Sequence, residues 1–574
     1  VKILLVGINA KYVQTNLAIR LLKGFASRYS QAVRSGRIEI QTAEWNINQL
    51  PGQIVRGIYE THADAVVFST YIWNREMVLS VAGEIRKIQP LLLIGFGGPE
   101  VSWSARKFFE DCPAADLIIA GEGEEAFVDF LDAWAEGQSV SRIKGIYSRA
   151  DGFSFGGDRP PMTDLSQIPF PYDEENLDFD PENRIVYYES SRGCPFSCAY
   201  CLSSIDKSVR YYPLERVLSE IGYFLERGFP LVKFVDRTFN LDPARYLSIW
   251  TYIRDHHNGK TLFHFEIAAE YLSDEAFTLL ETIPEGAIQF EIGIQSINSE
   301  TLRLVGRPAH PEALAEKIRR IPKHIHTHVD LIAGLPAENL ASFASSFDYA
   351  FALDAGMLQL GFLKILSGSP MERIAESSPG YVWSSRPPYE VLSSPVMPYN
   401  DLLGLKDIDR LVDDWYNSGL MRNALNFLVL RADSAFSVFR DLTLFTRSFY
   451  PDHDPYLPRR PTDHFACLAA FSRSFFSGRT GCTSVAIEWL KLDFLLQGKP
   501  GSFPDWFIRR YSKDAHDAAL VSHGISGPGG ETRRLAYART EYEELCLTEE
   551  ESPQSFLFIY DRTGRERKAR FIRV

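Results

Sequence analysis

The sequence predicts an α/β protein in three parts: a doubly wound, Rossmann-like N-terminal domain, a partial (β/α)6 TIM-type barrel, and a mainly helical C-terminal domain. Three observations predict it. Short apolar runs alternate with amphipathic segments up to residue 150. The alternation resumes with a longer period from 185 to 400, and beyond 400 helical, aromatic stretches take over. At 574 residues the chain is also too long for one hydrophobic core.

In the first part, KILLVGI (2–8), AVVFSTY (65–71), LLLIGFGG (91–98) and LIIAGEG (117–123) are buried-strand candidates. Segments 16–29, 77–88 and 124–135 carry helical periodicity between them. Strands separated by helices form a parallel sheet covered on both faces, and such sheets bind ligands at the carboxyl ends of their strands. That edge carries INAKYVQTN, STYIWN, GGPEVSW and GEGEE. Residues 151–184 are rich in Pro, Gly and acid and read as a linker.

From 185, IVYYES runs into a cysteine-rich loop. Helix 213–227, strand 231–236, helix 242–256, strand 262–269, helix 273–281 and strand 288–296 follow. Helices 298–305 and 311–320, strand 326–335, helix 338–353 and strand 357–366 complete the run. Six strand–helix pairs are too few to close an eight-stranded barrel and suit an open one. After 400, LFTRSFYPDHDPYL and SVAIEWLKLDFLL are helical and aromatic. The terminal SFLFIYDRTGRERKARFIRV reads as a hairpin with Thr563-Gly564 near its turn. The domain limits expected are 1–150, a linker at 151–184, 185–400 and 401–574.

The composition, 45% hydrophobic and 24% charged, is ordinary for a globular protein. A net charge of −13 argues against a general nucleic-acid binder, which needs clustered Lys and Arg. VKILLVGINA does not read as a signal peptide, and no apolar run reaches the length of a membrane span. Seven cysteines in a chain of this size do not form a disulfide framework, so a cytoplasmic location is expected. Four of them, Cys112, Cys467, Cys482 and Cys546, are scattered and expected to be buried small hydrophobes.

The other three stand together in SSRGCPFSCAYCLSS (190–204), where Cys194, Cys198 and Cys201 have C-x3-C-x2-C spacing and no fourth cysteine nearby. Four thiolates would close a structural zinc site, and three in one loop complete one only with a histidine. The same three suit a 4Fe–4S cluster with one iron lacking a protein ligand, free to hold a small chelating molecule and pass it an electron. A zinc knuckle, or a turn without metal, is the alternative reading.

Gly193 and Pro195 bend the chain here and Tyr200 precedes the third cysteine, a pattern that resembles the radical S-adenosylmethionine superfamily. LVKFVDRTFN (231–240), FEIAAEYLSDEAFTLL (265–280), FEIGIQSINSETLRLVGR (290–307), VDLIAGLPAEN (329–339) and FLKILSGSPM (362–371) are similar, in order, to that family's second to sixth strands. Ser367-Gly368-Ser369-Pro370 departs from the family's frequent Pro-Gly-Thr-Pro. The resemblance covers about 190–400. It implies that Cys194, Cys198 and Cys201 hold a 4Fe–4S cluster whose open iron chelates S-adenosylmethionine, with Tyr200 beside it. It also implies that Glu266, Gln295, Arg307 and Asp330 contact the ribose or carboxylate of that molecule. An ordinary strand-end ion pair is the alternative for each.

A doubly wound domain directly before such a core resembles the cobalamin-dependent class of the superfamily. GINAKYVQTNL lacks the Asp-x-His-x-x-Gly that sets an axial histidine under cobalt, which implies a corrin without a histidine below it. By the same resemblance Gly97, Gly98, Glu122 and Gly123 lie in loops that approach the corrin, and Tyr71 and Trp73 flank it. Rim aromatics are the alternative for the last two. A flavodoxin-like domain with another ligand, or none, is the alternative for the whole. The C-terminal block resembles an uncharacterised domain that follows such cores.

The class implies a methyltransferase acting on an unactivated carbon, through hydrogen abstraction by a 5′-deoxyadenosyl radical and methyl donation from methylcobalamin. It implies a flavodoxin or ferredoxin as electron donor, and a small molecule or peptide as substrate. Two other readings stay open: a ring-forming or rearranging enzyme with both cofactors and no methyl transfer, and a non-catalytic cobalamin or redox sensor. KHIHTHVD (323–330) sets His324, His326 and His328 on one side of a strand, but at its beginning and without an acidic partner set, which argues against a metal site there.

Overall fold

In the computed structural model the described residues are all of 1–574 except 150–152, 174–178, 308, 453–456, 524–538, 550–551 and 561–568. Strands β1 (Lys2–Asn9), β2 (Glu39–Asn46), β3 (Ala65–Ser69), β4 (Leu93–Gly97) and β5 (Leu117–Ile119) form a parallel sheet in the order β2-β1-β3-β4-β5. Two further strands, β6 (Ile146–Ser148) and β7 (Ser154–Phe155), extend it antiparallel beyond β5. Alternation divides the buried side chains between two cores. Leu4, Val6, Ile8, Val66, Phe68, Ile94 and Phe96 pack with Ile54, Val78, Val81 and Phe108 of one helical layer. Ile3, Leu5, Val67, Leu117 and Ile119 pack with Ile19, Ala126, Phe127 and Phe130 of the other. This is the doubly wound domain expected. Its strand order reverses at β1, between β2 and β3, so the crevice of such a sheet opens between the loops that follow β1 and β3.

Sequence periodicity did not find β2, β6 or β7. Strand β2, EIQTAEWN, is an edge strand with only Ile40 and Asn46 buried, so it has neither an apolar run nor a clean alternation. Strand β7 falls inside the stretch read as a linker.

The second sheet begins with β8 (Ile185–Tyr188). A short antiparallel pair, β9 (Ser191–Arg192) and β10 (Arg210–Tyr211), then closes the base of the cysteine loop. Strands β11 (Leu231–Phe234), β12 (Leu262–Ile267), β13 (Ile288–Gln295) and β14 (His326–Ala333) follow β8 in parallel register, and β15 (Met357–Phe362) completes the order β8-β11-β12-β13-β14-β15. The sheet is open and six-stranded, as expected. Its faces differ sharply. Phe263, Phe265, Phe290, Ile292, Val329 and Leu331 are buried on the outer side, where Trp250 of helix Pro243–His256 packs on Phe290 at 5.1 Å. Tyr187, Lys233, Glu266, Glu291, Gln295, His328 and Asp330 alternate with them and face the lumen. A closed eight-stranded barrel fills its interior with branched apolar side chains; this open one lines it with polar ones. A last pair, β16 (Val382–Trp383) and β17 (Val391–Ser393), follows β15.

Residues 1–339 and 361–399 form one compact unit, and 340–360 with 400–574 a second. The second is mainly helical, as expected, with Trp415, Tyr416 and Leu490 fully buried. It ends in an antiparallel sheet of β18 (Arg539–Leu545), β19 (Gln554–Tyr560) and β20 (Arg570–Arg573). The expected hairpin is the pair β19–β20; Thr563 and Gly564 lie outside the described residues. Cys112 and Cys467 are buried as expected, whereas Cys482 and Cys546 are half-buried: the Cys482 thiol meets Glu549 at 3.4 Å and the Cys546 thiol the Thr548 carbonyl at 3.7 Å, polar surroundings rather than an apolar core. Among the described residues no helix is long and apolar enough to cross a membrane.

Candidate functional site

The cysteine loop sits at the carboxyl end of β8 and is pinned by backbone contacts. Gly193 has φ +89°, and a Cβ there would lie 2.1 Å from the Ser208 carbonyl oxygen, so only glycine fits. The Cys194 N–H donates to the Asp206 carbonyl at 3.0 Å, Cys201 to Cys198 at 3.1 Å, and Ala199 to Val305 at 2.8 Å. The last bond docks the loop against the segment after β13, and the Met371 N–H reaches the Ala199 carbonyl at 2.9 Å from the segment after β15. Cys194 and Cys198 are buried, Cys201 is half-buried, and all three are free. Burial pushes the Cys194 thiol up, and the neighbouring Cys198 and Cys201 thiols add to the effect. Bound iron is what stabilises such thiolates.

Among the described residues no three His, Cys, Asp or Glu side chains gather round one point as ligands of a single ion would. A cluster that takes each thiolate on a different iron does not need that arrangement.

Of the expected cofactor contacts, Glu266, Gln295 and Asp330 fall on the adjacent strands β12, β13 and β14, and Arg307 follows the helix Ser299–Leu304. Gln295 ends β13 with φ +69°, a left-handed conformation rare for a side chain of this size, and its Oε1 is buried without a partner. A Cβ on Gly293 would lie 2.1 Å from the Gln295 Nε2, so the bare glycine makes room for that turn. The Gly293 carbonyl accepts from Arg307 at 2.5 Å, and the other guanidinium nitrogen of Arg307 lies 3.9 Å from the Cys198 sulfur. The Asp330 Oδ1 and the Tyr200 hydroxyl are buried without partners of hydrogen-bonding geometry.

Lumen electrostatics separate the carboxyl groups. The hydrogen bond from His264 at 3.0 Å and Lys233 at 3.1 Å hold Glu291 down to about 2. Burial, with the Glu291 and Glu266 charges nearby, pushes Asp330 up to about 8. Burial also raises Glu266, against the pull of Arg237. His326 and His328 stand 4.8 Å apart near the amino end of β14, and burial, with His326 and His264 near, lowers His328 to about 4.

The N-terminal sheet presents its carboxyl edge differently. The rings of Tyr71 and Trp73 stack at 4.3 Å and 7°, and Trp73 is exposed. The Asn74 side chain fixes this turn, donating to the Ile8 and Ser69 carbonyls at 2.9 Å each and accepting from the Tyr71 N–H at 2.8 Å. Gly98 has φ +107° and a Cβ there would meet the Thr70 carbonyl at 2.5 Å, so its bareness serves that loop. A Cβ on Gly97 would lie 3.5 Å from the Ile119 carbonyl oxygen, and one on Gly123 3.2 Å from the Leu22 side chain.

Glu122 is engaged by arginines of the β9–β10 pair at the base of the cysteine loop. It accepts from Arg210 at 2.8 Å and pairs with Arg192 at 3.6 Å, while Glu124 pairs with Arg192 at 2.5 Å. Gln14, in the loop after β1, donates to the Tyr187 hydroxyl at 2.9 Å. Sequence reasoning singled out none of Gln14, Arg192, Arg210 or Arg237. Arg192 lies in the quoted cysteine stretch and Arg237 in VDRTFN, but Glu122 and Glu124, which Arg192 meets, are distant in sequence.

Residues 3–131 match the family described as B12 binding domain, 188–350 the radical SAM superfamily, and 378–523 a family described as protein of unknown function (DUF4080). An uncharacterized methyltransferase of Pyrococcus horikoshii is 26% identical over 49% of this chain and 62% of its own. The 2-(S-pantetheinyl)-carbapenam-3-carboxylate methyltransferase of Streptantibioticus cattleyicolor is 27% identical over 51% and 46%. The cobalamin-dependent radical SAM methyltransferase TokK of Streptomyces tokunonensis is 26% identical over 56% and 49%. The chain thus spans less than two thirds of the length of these curated relatives.

Two solved structures share the fold. One is the cobalamin-dependent S-adenosylmethionine radical enzyme OxsB with aqua-cobalamin and S-adenosylmethionine bound (15% identity, TM-score 0.58, 92% of this chain and 82% of that one). The other is TsrM of Kitasatospora setae with cobalamin and a [4Fe-4S] cluster bound (16%, 0.57, 77% and 97%). At these identities the likeness is one of fold.

Proposed function

For a chain that joins a B12-binding domain to a radical SAM core and a domain of unknown function, we propose the activity of a cobalamin-dependent radical SAM methyltransferase. Its substrate would be a small molecule or peptide with an unactivated carbon. The observation that carries this reading is the junction of two carboxyl edges in one compact unit, held by Glu122 and Glu124 on Arg210 and Arg192. One edge has three free thiols and unmatched buried polar atoms; the other has an exposed aromatic stack and no histidine in its first loop.

When bound, the cluster and S-adenosylmethionine would supply the 5′-deoxyadenosyl radical, and the corrin the methyl group. The chain's own part is to bind and orient. Cys194, Cys198 and Cys201 would hold the cluster, with the Arg307 cation beside the Cys198 sulfur to offset its negative charge. The unmatched Gln295 Oε1 and Asp330 Oδ1 would accept hydrogen bonds from ribose hydroxyls, and the raised Asp330 carboxyl, where protonated, would also donate one. Tyr71 and Trp73 give a flat apolar face against which a corrin edge can lie. A flavodoxin or ferredoxin in the cytoplasm is the electron donor of this reading.

The test uses anaerobic, reconstituted protein with cobalamin, reductant and S-adenosylmethionine. Formation of 5′-deoxyadenosine together with S-adenosylhomocysteine supports methyl transfer. 5′-Deoxyadenosine alone replaces it with radical chemistry without a methyl carrier. Neither product leaves a binding protein.

A further inference from the structure

Arginines crowd the carboxyl edge of the barrel sheet, and nearly all are engaged within the fold. Arg192 is held by Glu124 at 2.5 Å and Glu189 at 2.7 Å, and Arg210 by Glu122 at 2.8 Å and Asp206 at 2.5 Å. Arg245 donates to the Ser190 carbonyl at 3.1 Å and Arg307 to the Gly293 carbonyl at 2.5 Å. Arg237 differs. It follows β11, is exposed, and its guanidinium makes no hydrogen bond or ion pair among the described residues.

Its backbone, in contrast, is fixed on both sides. Asp236 is buried and accepts from the Ser190 N–H at 2.8 Å and from the Ser190 and Ser191 hydroxyls at 2.7 and 2.5 Å. Thr238 is buried, and its hydroxyl donates to the Arg237 carbonyl at 2.8 Å. A positioned strand end therefore projects an unpaired cation.

The charge acts on both edges. It draws the Tyr71 phenol of the N-terminal sheet down against burial, and the Glu266 carboxyl of β12 likewise. Burial raises that carboxyl, so Glu266 holds a counter-charge less readily than an exposed carboxylate does. Glu189, the other acid near Tyr71, is taken by Arg192 and by the Tyr212 hydroxyl at 2.6 Å. In a chain of net charge −13 an anionic molecule is repelled in general and needs a local cation to be held.

Resting on the reading that both edges face one substrate, we propose that Arg237 anchors an oxyanion of that substrate, a carboxylate or a phosphate. The planar guanidinium fork matches either group bidentately. The substrate class is thus an anionic small molecule or the acidic end of a peptide, tethered beside the aromatic stack with its reacting carbon free to lie between the edges. Arg237 is a specificity-determining residue in this account.

The test is arginine modification by phenylglyoxal, read at Arg237 by peptide mass spectrometry on the full chain, before and after loading with iron, sulfide, cobalamin and S-adenosylmethionine. Inorganic phosphate and succinate are the probes, at roughly 50 mM, against chloride of equal ionic strength. Arg237 should react in the loaded protein in chloride, and at least about fivefold more slowly with phosphate, succinate or both. Which anion protects identifies the group. Exposed Arg303, paired with Glu300 at 2.7 Å, should be unaffected by either. The R237Q variant should keep its iron and cobalamin.

Shielding of Arg237 by cofactor loading alone, equal rates in all three salts, or loss of a cofactor in R237Q would each overturn the proposal. Cofactor content is measured on the same sample. A protein that retains no cobalamin contradicts the methyl-transfer reading, while the phosphate and succinate rates still decide the role of Arg237.

Discussion

The carboxyl edges of the two parallel sheets are built alike and treat their polar groups in opposite ways. On the N-terminal sheet the polar side chains are matched within the fold: Asn9 donates to Gln14 and Glu44, Asn74 to Ile8 and Ser69, and Glu122 and Glu124 take arginines. What remains outward includes the Tyr71–Trp73 stack, with Lys11 and Tyr12 exposed in the loop after β1. On the barrel sheet Gln295, Asp330 and Tyr200 keep buried polar atoms unmatched, beside three free thiols. Each such atom costs about 1–3 kcal/mol when left alone, and these three sit beside the thiols, where a bound ligand could supply their partners. The difference teaches that one edge is shaped for a broad, flat ligand held by its surface, and the other for a small polar one held by directed bonds.

The largest effect that would break this contrast comes from the thiols. Changing Cys194, Cys198 and Cys201 together to Ala should take bound iron from about four per chain to almost none, while cobalamin content stays unchanged. Loss of both would show that the edges are not independent.

Asp330 comes next. The variant D330N should weaken S-adenosylmethionine binding about tenfold, or about 1.4 kcal/mol, measured by equilibrium dialysis. It also has a pH signature. The folded value of about 8 lies above the unfolded value of about 3.9. The folded state therefore binds the extra proton, and the stability this brings is complete at low pH and lost as pH rises through 8. The Tm of the apo protein should fall between about pH 7 and 9, and D330N should flatten that fall. His328, lowered to about 4, works in the opposite sense and only below its unfolded value of about 6.5, so the upper window isolates Asp330.

Smaller effects belong to the aromatic edge. Removing the stack with W73A should weaken cobalamin about fivefold to tenfold by spectroscopic titration and leave iron binding intact. Smallest of all, E122Q should lower stability by about 1 kcal/mol in denaturant unfolding, because Arg210 keeps Asp206, and should not change cobalamin content. A loss of cobalamin in E122Q would return that carboxylate to the corrin.

Much of the scaffold was legible in the sequence because buried parallel strands are apolar runs and their helices are amphipathic. Edge strand β2 was not, since a half-buried edge has neither signature. The cysteine triad could be read because its chemistry lies in eight consecutive positions. Glu122 shows the limit. Its glycine-rich setting suggested a ligand loop, but its partners Arg192 and Arg210 are brought to it only by folding. The left-handed turn at Gln295 likewise leaves no trace in its residue type.

The account's central claim, that the two edges hold two different cofactors, is tested most directly by composition. Anaerobic, iron-reconstituted protein incubated with hydroxocobalamin and desalted should retain one cobalamin, with about four iron and four sulfide per chain, and show both chromophores in its absorption spectrum. Four irons without cobalamin would contradict the claim, leaving the N-terminal sheet a scaffold for a single-cofactor radical site.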